Sequence, residues 1–463
     1  MKDRLISVMD RFKADYLELR HHSRRATRIK VVTGALEEAN HMSLSGVAAR
    51  ALVNGAWGFS STSACDTASL RRAASDAIKA ARIAAAHKAH RIEALAEAEM
   101  ARGRFVIKEN GRLEDVGPEE KMEMVLAAEK EARSNRAVKS AICMYREIVD
   151  EKLILNTDGA EVELREARPE FIVGAIATMG GERAQAMESE AVAGGWKDLF
   201  ERRSPSEMGE TAARRASNLA SARFLKGGRE RVILDPSLVG LISHEAFGHT
   251  VEADFVLSGS AAKGKLGTRV ASELVTLVDS GVPEQGGHPA GTLLVDDEGV
   301  RARRVGIIEQ GVLSSYLFDR ETAAIFDQEP RGNARAFEYT DEPIIRMRNT
   351  YIAPGDWKLD EMIEDTRRGY LLKGGLGGQA DANAEFMFEA EEAHEIVKGE
   401  LRALYRGAAI SGNAFDVLMS VDGVSREFEF DMGAGYCGKM QPAKVDGGGG
   451  YLRCMALIGG RQG

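Results

Sequence analysis

Several features are scarce in this 463-residue chain, and each scarcity closes off a class of function. No run of about 18 apolar residues occurs, so no membrane-spanning helix is expected. The opening Met1-Lys2-Asp3-Arg4 leads into charged sequence without the apolar core of a secretory signal. The 4 cysteines are irregularly spaced and make no disulfide framework. A cytoplasmic protein is therefore expected, in which a thiol is free to ligate a metal. Basic charge is not in excess either: 62 Lys+Arg against 71 Asp+Glu leave a net charge of −9. That argues against nucleic acid as the main partner, because binding phosphates needs a basic face. There is no internal repeat of fixed period and no low-complexity tract beyond short glycine clusters. What remains is a globular composition, 44% hydrophobic and 29% charged, long enough for two or three cores.

The first half reads as strands followed by helices and an antiparallel meander. Ile29–Val32 and Gly46–Val53 are strand-like and separated by polar residues, and Gly55–Phe59 closes a tight connection. Helices are expected near Leu70–Lys88 and Pro118–Ser134. His21, His22, His41, His87 and His90 read as solvated surface. Only His41 has acidic neighbours at helical spacing, Glu37 and Glu38, and it falls in a connection between strands. From Ala137 to Ser189 apolar and polar residues alternate, with a hairpin signal at Thr157-Asp158-Gly159 and a strand over Ile172–Thr178. Cys143 sits inside this meander as a small core residue. An amphipathic helix carrying Met208, Ala212, Ala216, Leu219 and Phe224 on one face then leads to Gly227-Gly228. A domain boundary is placed there, giving an N-terminal α/β domain over residues 1–228 and a C-terminal domain over 229–463.

The second half is expected to be α+β, a largely antiparallel sheet with short helices. Strands are predicted over Ser272–Val278, Thr292–Asp296, Val305–Glu309, Val312–Phe318, Thr350–Ala353, Phe386–Phe388, Ala414–Val421 and Glu427–Phe430, with a hairpin turn at Glu309-Gln310-Gly311.

One stretch organises this half. Val232-Ile233-Leu234 reads as a buried strand, Asp235 as a helix cap and Pro236 as the first helical residue, whose missing amide hydrogen costs nothing there. Leu238, Val239, Leu241 and Ile242 would hold the helix to a core, with His244, Glu245 and His249 carried on it. Two imidazoles and a carboxylate in that setting read as a metal site with its own base. The histidines are five apart, which turns one from the other by about 140° on an ideal helix. They converge only if the turn widens to a π-bulge or the helix breaks at Gly248, where glycine lowers the cost of unusual backbone angles. A buried helix with two ordinary histidines is the alternative.

Two glycine clusters follow. Lys373–Gly378 lacks the Gly-Lys-Ser/Thr ending of a phosphate loop and is read as a mobile loop lining a cleft. In Asp431–Lys439, three glycines surround Cys437 and allow close backbone approach, while Lys439 would favour the thiolate. Cys437 is thus the thiol placed for reactivity, with a structural role as the alternative. Cys65 and Cys454 are assigned no role.

Three stretches, His244-Glu245-Ala246-Phe247-Gly248-His249, Gly433–Lys439 and Gly55–Phe59, together resemble the TldD type of chain in the TldD/PmbA (TldD/TldE) metallopeptidase family. The likeness runs over essentially the whole chain. It implies a Zn2+ site formed by His244, His249 and Cys437, with Glu245 as catalytic base, and a two-domain fold. It also implies a homodimer, or a heterodimer with a TldE/PmbA-type subunit lacking the motif. Unfolded or short peptides are the implied substrates, including precursors of modified peptides. One departure is Gly447–Gly450, more glycine-rich than is usual in the family, which bears on the substrate channel. The expected activity is zinc-dependent peptide hydrolysis, slow because a thiolate ligand weakens the metal as a Lewis acid. A non-hydrolytic peptide-binding subunit is the alternative; its metal would be absent, or structural and closed by His288 or His394. Both of those histidines read as surface or turn residues.

Overall fold

The computed structural model describes residues 1–460, an α+β arrangement rich in strands and divided among several sheets. The first large sheet has seven strands: β1 (Tyr16–Val32), β2 (Ala35–Val53), β3 (Ala56–Thr62), β4 (Arg102–Val106), β5 (Val138–Asn156), β6 (Glu161–Met179) and β7 (Glu182–Ala191). Their order is β3-β2-β1-β5-β6-β4, and β7 pairs with β6 beyond the end of β4. The expected meander is β5-β6-β7, antiparallel throughout.

The expected break between two short strands is absent. β1 and β2 pair continuously from Tyr16–Leu52 to Val32–Ala35 around a Thr33-Gly34 turn with φ of 47° and 81°. The polar stretch is the exposed end of this hairpin, where the outer residues of β2 meet solvent and need no apolar alternation. His41 accordingly lies within β2, opposite Thr27, not in a connection. The turn before β3 is Asn54-Gly55, and Ala56–Phe59 is already strand. The alanine-rich helix Thr67–His87, capped by the Asp66 carboxylate, lays Ala73, Ala74, Ala77 and Ala81 against this end of the sheet. The helices Pro118–Ala132 and Pro205–Ser221 cover the β5–β7 region. Met208, Ala212, Ala216 and Leu219 are buried as expected, but Phe224 lies beyond the helix end, in a short strand.

The second sheet has twelve strands. Its path runs Val312–Leu313, Val305–Glu309, Leu277–Ser280, Asn349–Ile352, Asp446–Gly459, Gly228–Leu234, Arg368–Ala380, Glu385–Val397, Glu400–Arg406 and Arg223–Phe224. Pairing is mostly antiparallel, but Gly228–Leu234 runs parallel to Arg368–Ala380, and Asn349–Ile352 parallel to Asp446–Gly459. Three expectations fail here, and two strands are shorter than expected, with only Leu277–Val278 of Ser272–Val278 and Val312–Leu313 of Val312–Phe318 in strand. Ala414–Met419 is a helix capped by Asn413, so local capping outweighs the β-branched content. Thr292–Asp296 is a turn region whose Asp296 carboxylate accepts the Glu298 and Val300 amides. Lys373–Gly378 belongs to a strand paired with Glu385–Val397 and is no loop.

The first sheet meets turns of the second half of the chain through buried charge, and this interface corrects the reading of His22 as surface. Period two puts Arg20, His22 and Arg24 on one face of β1, and all three are buried. His22 Nε2 lies 2.8 Å from Asp150, whose carboxylate also receives two bonds from Arg24. Across the interface, Arg50 pairs with Glu298 at 2.7 Å and Lys152 with Asp297 at 2.8 Å. Arg20 donates to the Asp341 carbonyl. Burial would raise the Asp297 carboxyl, but Lys152 and Arg20 bring it down to about 2. Among the described residues, no helix is long and apolar enough to cross a membrane.

Lys152→Met should leave Asp297 buried with only Arg20, 3.6 Å away, as a charged neighbour. A loss of about 3 kcal/mol is expected at neutral pH, read as a lower urea midpoint with unchanged slope. Because Asp297 is held below the ordinary carboxylate value, its stabilisation is present above that value and fades as pH falls through about 2. The difference between the two proteins should therefore shrink in acid. Equal midpoints at neutral pH would show that this pair does not hold the interface together.

Candidate metal centre

The strand Gly228–Leu234 delivers the chain to Asp235, whose carboxylate accepts the Leu238 amide at 3.0 Å and caps the helix Pro236–Leu241. The same carboxylate accepts the Gly374 amide at 2.8 Å, so the cap also ties the helix start to the neighbouring strand. Leu238, Val239 and Ile242 are fully buried. From Ile242 to Phe247 the helix widens into a π-turn, and from Gly248 to Val251 it tightens into a 3₁₀ turn. The two departures together bring His244 and His249 to one side, with ring centroids 5.2 Å apart.

Gly248 is needed for space, not for backbone freedom. Its φ of −56° and ψ of −43° suit any residue. An added Cβ, however, would collide with Met347 Sδ and lie 2.8 Å from the Ser243 carbonyl.

The third arm is the Asp431–Lys439 segment, in which Tyr436–Cys437 forms a small ladder with Ala443–Lys444. Arg346, fully buried, donates to the carbonyls of Cys437, Lys439 and Gln441 and holds this segment in place. Cys437 Sγ lies 3.3 Å from His249 Nε2. One donor atom from each of His244, His249 and Cys437 falls within 4.8 Å of the others.

Burial alone would raise the Cys437 thiol, but the adjacent His244 and His249 imidazoles bring it down to about 3. Lys439 does not do this, contrary to expectation. Its ammonium points away, to Asp254 at 2.7 Å and Glu252 at 3.4 Å. Cys143 and Cys454 are the reverse case, buried thiols pushed well up by desolvation.

The residues fit a metal ion. His244 is fully buried, yet neither ring nitrogen has a hydrogen-bond partner, an arrangement that costs free energy unless something binds there. Two imidazoles and a thiolate form a donor set suited to zinc, with coordination left open. His288 and His394 do not join it: His288 faces Asp198 at 3.6 Å and His394 faces Glu392 at 3.0 Å.

Glu245 is half-buried, 3.6 Å from His249 and 4.0 Å from His244. It stands on the wall of a cavity of about 530 Å³ lined also by Met187, Leu241, Gly374, Gly375 and Tyr436. That cavity continues into a second of about 460 Å³ through Gln185, Leu376 and Glu391, so the space lies between the two large sheets. Gly447–Gly450 do not line it. They are buried in the strand Asp446–Gly459 against the helix that carries the histidines.

Sequence reasoning missed Glu252. It is fully buried and accepts from His249 Nδ1 at 2.7 Å. An acid three residues after a candidate ligand was the available signal.

Gly248→Ala should force the π-to-3₁₀ junction apart, since one of the obstructing atoms is backbone. A loss of about 1–3 kcal/mol is expected in urea unfolding, together with weaker zinc uptake. Wild-type stability and uptake would mean that the junction tolerates a side chain.

Comparison with known proteins agrees along the whole chain. Residues 17–81 match the first domain of the PmbA/TldA metallopeptidases, 111–220 their central domain and 227–453 their C-terminal domain. A metalloprotease of Methanocaldococcus jannaschii is 34% identical over 453 residues, covering 96% of this chain and 97% of that protein. A zinc metalloprotease TldD homolog of Saccharolobus solfataricus is 38% identical over 238 residues, 51% of this chain and 52% of its own length. TldE from Thermococcus kodakarensis has the same fold, with a TM-score of 0.79 at 20% identity and 99% coverage of both chains. These matches make the protein a peptidase, and the chain belongs to the TldD/PmbA family of metallopeptidases.

Proposed function

We propose that this chain is a zinc peptidase of unfolded or short peptides, with His244, His249 and Cys437 as metal ligands and Glu245 as catalytic base. The observation that carries the reading is the convergence of the three donors beside the cavity on which Glu245 stands. Zinc held there would supply Lewis acidity toward a peptide carbonyl and toward water. Glu245, facing the cavity, would take the proton from the attacking water as its oxygen bonds to the carbonyl carbon. The same carboxyl would return that proton to the leaving amine as the carbon–nitrogen bond breaks.

Selection for extended chains follows from the cavity walls. Beyond Leu372 the strand Arg368–Ala380 has a strand partner on one side only, Glu385–Val397, among the described residues. Its Gly374–Gly377 portion lines the cavity; the Gly374 and Gly375 amides are bound to Asp235 and Ser237, so the open edge begins at Leu376. An extended peptide can add to such an edge by main-chain hydrogen bonds, which read shape more than sequence. Maturation of modified peptide precursors fits the same selection. We further propose a cytoplasmic dimer, with a second copy or a TldE/PmbA-type subunit, and two domains spanning 1–228 and 229–463. The dimer rests on membership of the TldD/PmbA family.

Glu245→Gln should keep zinc at the wild-type level and lower kcat on an unstructured peptide by about 10²–10⁴-fold, the usual worth of a general base. Full activity in this variant would remove Glu245 from the mechanism. A compact protein should resist cleavage that its denatured form undergoes; equal rates on both would overturn the substrate class.

A further inference from the structure

The two imidazoles at the centre are held in different ways, His244 by burial and His249 by a side-chain partner. His244 makes no hydrogen bond through either nitrogen and is held by packing alone. His249 is partly exposed and sits on the 3₁₀ turn beyond the helix, where packing gives it less hold. Its Nδ1 lies 2.7 Å from Oε2 of Glu252. A carboxylate accepts hydrogen bonds, so Nδ1 is the nitrogen that carries the proton whenever the ring is neutral, and Nε2, the nitrogen facing Cys437, is the one left to ligate a metal.

Glu252 in turn is not left alone with its charge. Lys439, 6% exposed at its side chain, lies 3.4 Å from Glu252 and 2.7 Å from Asp254, and donates to the Ile345 carbonyl at 3.0 Å. It also stands over the Phe255 ring, 4.4 Å from the centroid. Lys439 is two residues from Cys437. One ion network therefore ties the turn carrying His249 to the segment carrying Cys437, which are 188 residues apart in sequence.

We propose that Glu252 is a positioning residue that sets the tautomer and ring orientation of His249, and that Lys439 completes a clamp holding the cysteine segment against the histidine turn. Each ligand arm alone ends in irregular backbone; the clamp removes their relative freedom before any metal arrives. Partners of this kind around a ligating histidine affect metal affinity about 10–100-fold. The inference rests on His249 and Cys437 being zinc ligands, but its first readout does not need the metal.

The test compares full-length wild type with Glu252→Ala, Glu252→Gln and Lys439→Met. In the metal-free proteins, at a pH high enough to leave the imidazoles neutral, long-range ¹H–¹⁵N spectra report the tautomer, with the His249 resonance assigned by its absence in His249→Ala. Wild type should show His249 protonated at Nδ1, and Glu252→Ala should show the tautomers mixed. Glu252→Gln keeps an acceptor oxygen and should retain much of the Nδ1–H form, which a merely structural side chain would not predict. Zinc affinity, measured by competition with a chromophoric chelator, should fall about 10–100-fold in Glu252→Ala and less in Glu252→Gln. Lys439→Met should weaken zinc without changing the tautomer. An unchanged His249 spectrum and zinc affinity in Glu252→Ala would overturn the proposal while leaving the metal site standing. If wild type takes up no zinc at all, the ligand reading fails together with it. Should the alanine variant not fold, the wild-type tautomer and the glutamine variant still decide: Nε2–H in wild type is fatal.

Discussion

The centre depends on one backbone contact, between Gly240 on the histidine helix and Gly447 on the strand Asp446–Gly459. A Cβ at Gly240 would lie 2.8 Å from the Gly447 carbonyl carbon and 3.0 Å from the Gly448 amide nitrogen. On the strand side, a Cβ at Gly447 would lie 3.2 Å from Gly240 Cα, and one at Gly449 2.6 Å from Val239 Cγ1. Helix and strand are as close as two main chains can be, and glycine is the only residue that permits it. The strand is the direct continuation of the segment carrying Cys437, and the helix runs directly into the turn carrying His244 and His249. Closing this gap sets the separation of thiol and imidazoles. Of the four glycines that looked like an anomaly of the substrate channel, Gly447 and Gly449 are what allows the third ligand arm to reach the other two, while Gly448 and Gly450 make room for Glu429 and Ser425.

Around that contact, each irregularity has a local cause. The π-turn supplies the rotation that five-residue spacing demands, and Gly248 supplies room against Met347 for the chain to leave it. The thiol is brought down by imidazoles at its side, and Glu252 and Cys437 in turn push the His249 imidazole up against its burial. The charged interface of the first sheet works over a longer range. Arg20, Arg50 and Lys152 on the first sheet meet Asp297 and Glu298 in a turn of the second half of the chain. Buried pairs of this kind add little net stability but make a wrong separation costly.

Much of the centre was legible in sequence because its signals are local. Asp235-Pro236 announces a helix start by capping, and a histidine spacing of five permits only a widened or broken turn; both changes occur, in succession. Cys437 stood out through its glycine neighbours. Glu252 left only a weak signal, because an acid three residues from a histidine is common on any surface, and the true role of Lys439 was not legible, because Glu252 and Asp254 lie on a separate segment. The same difficulty hid the interface. Arg20, His22 and Arg24 alternate along β1 as a solvated face does, and only turns far along the chain, around Asp297 and Phe337–Asp341, turn that face inward. The Lys373–Gly378 strand was misread for a related reason: glycine has low strand propensity, and tertiary pairing with Glu385–Val397 overrides it.

The most direct measurement is the zinc content of the purified full-length protein beside its Cys437→Ala variant, at equal concentration after the same dialysis. About one zinc per chain in the wild type, largely lost in the variant while its fold persists by circular dichroism, is the expected result for a centre built from two imidazoles and this thiolate. Undiminished zinc in the variant would contradict it, placing the third ligand elsewhere and leaving the contact between Gly240 and Gly447 without its purpose.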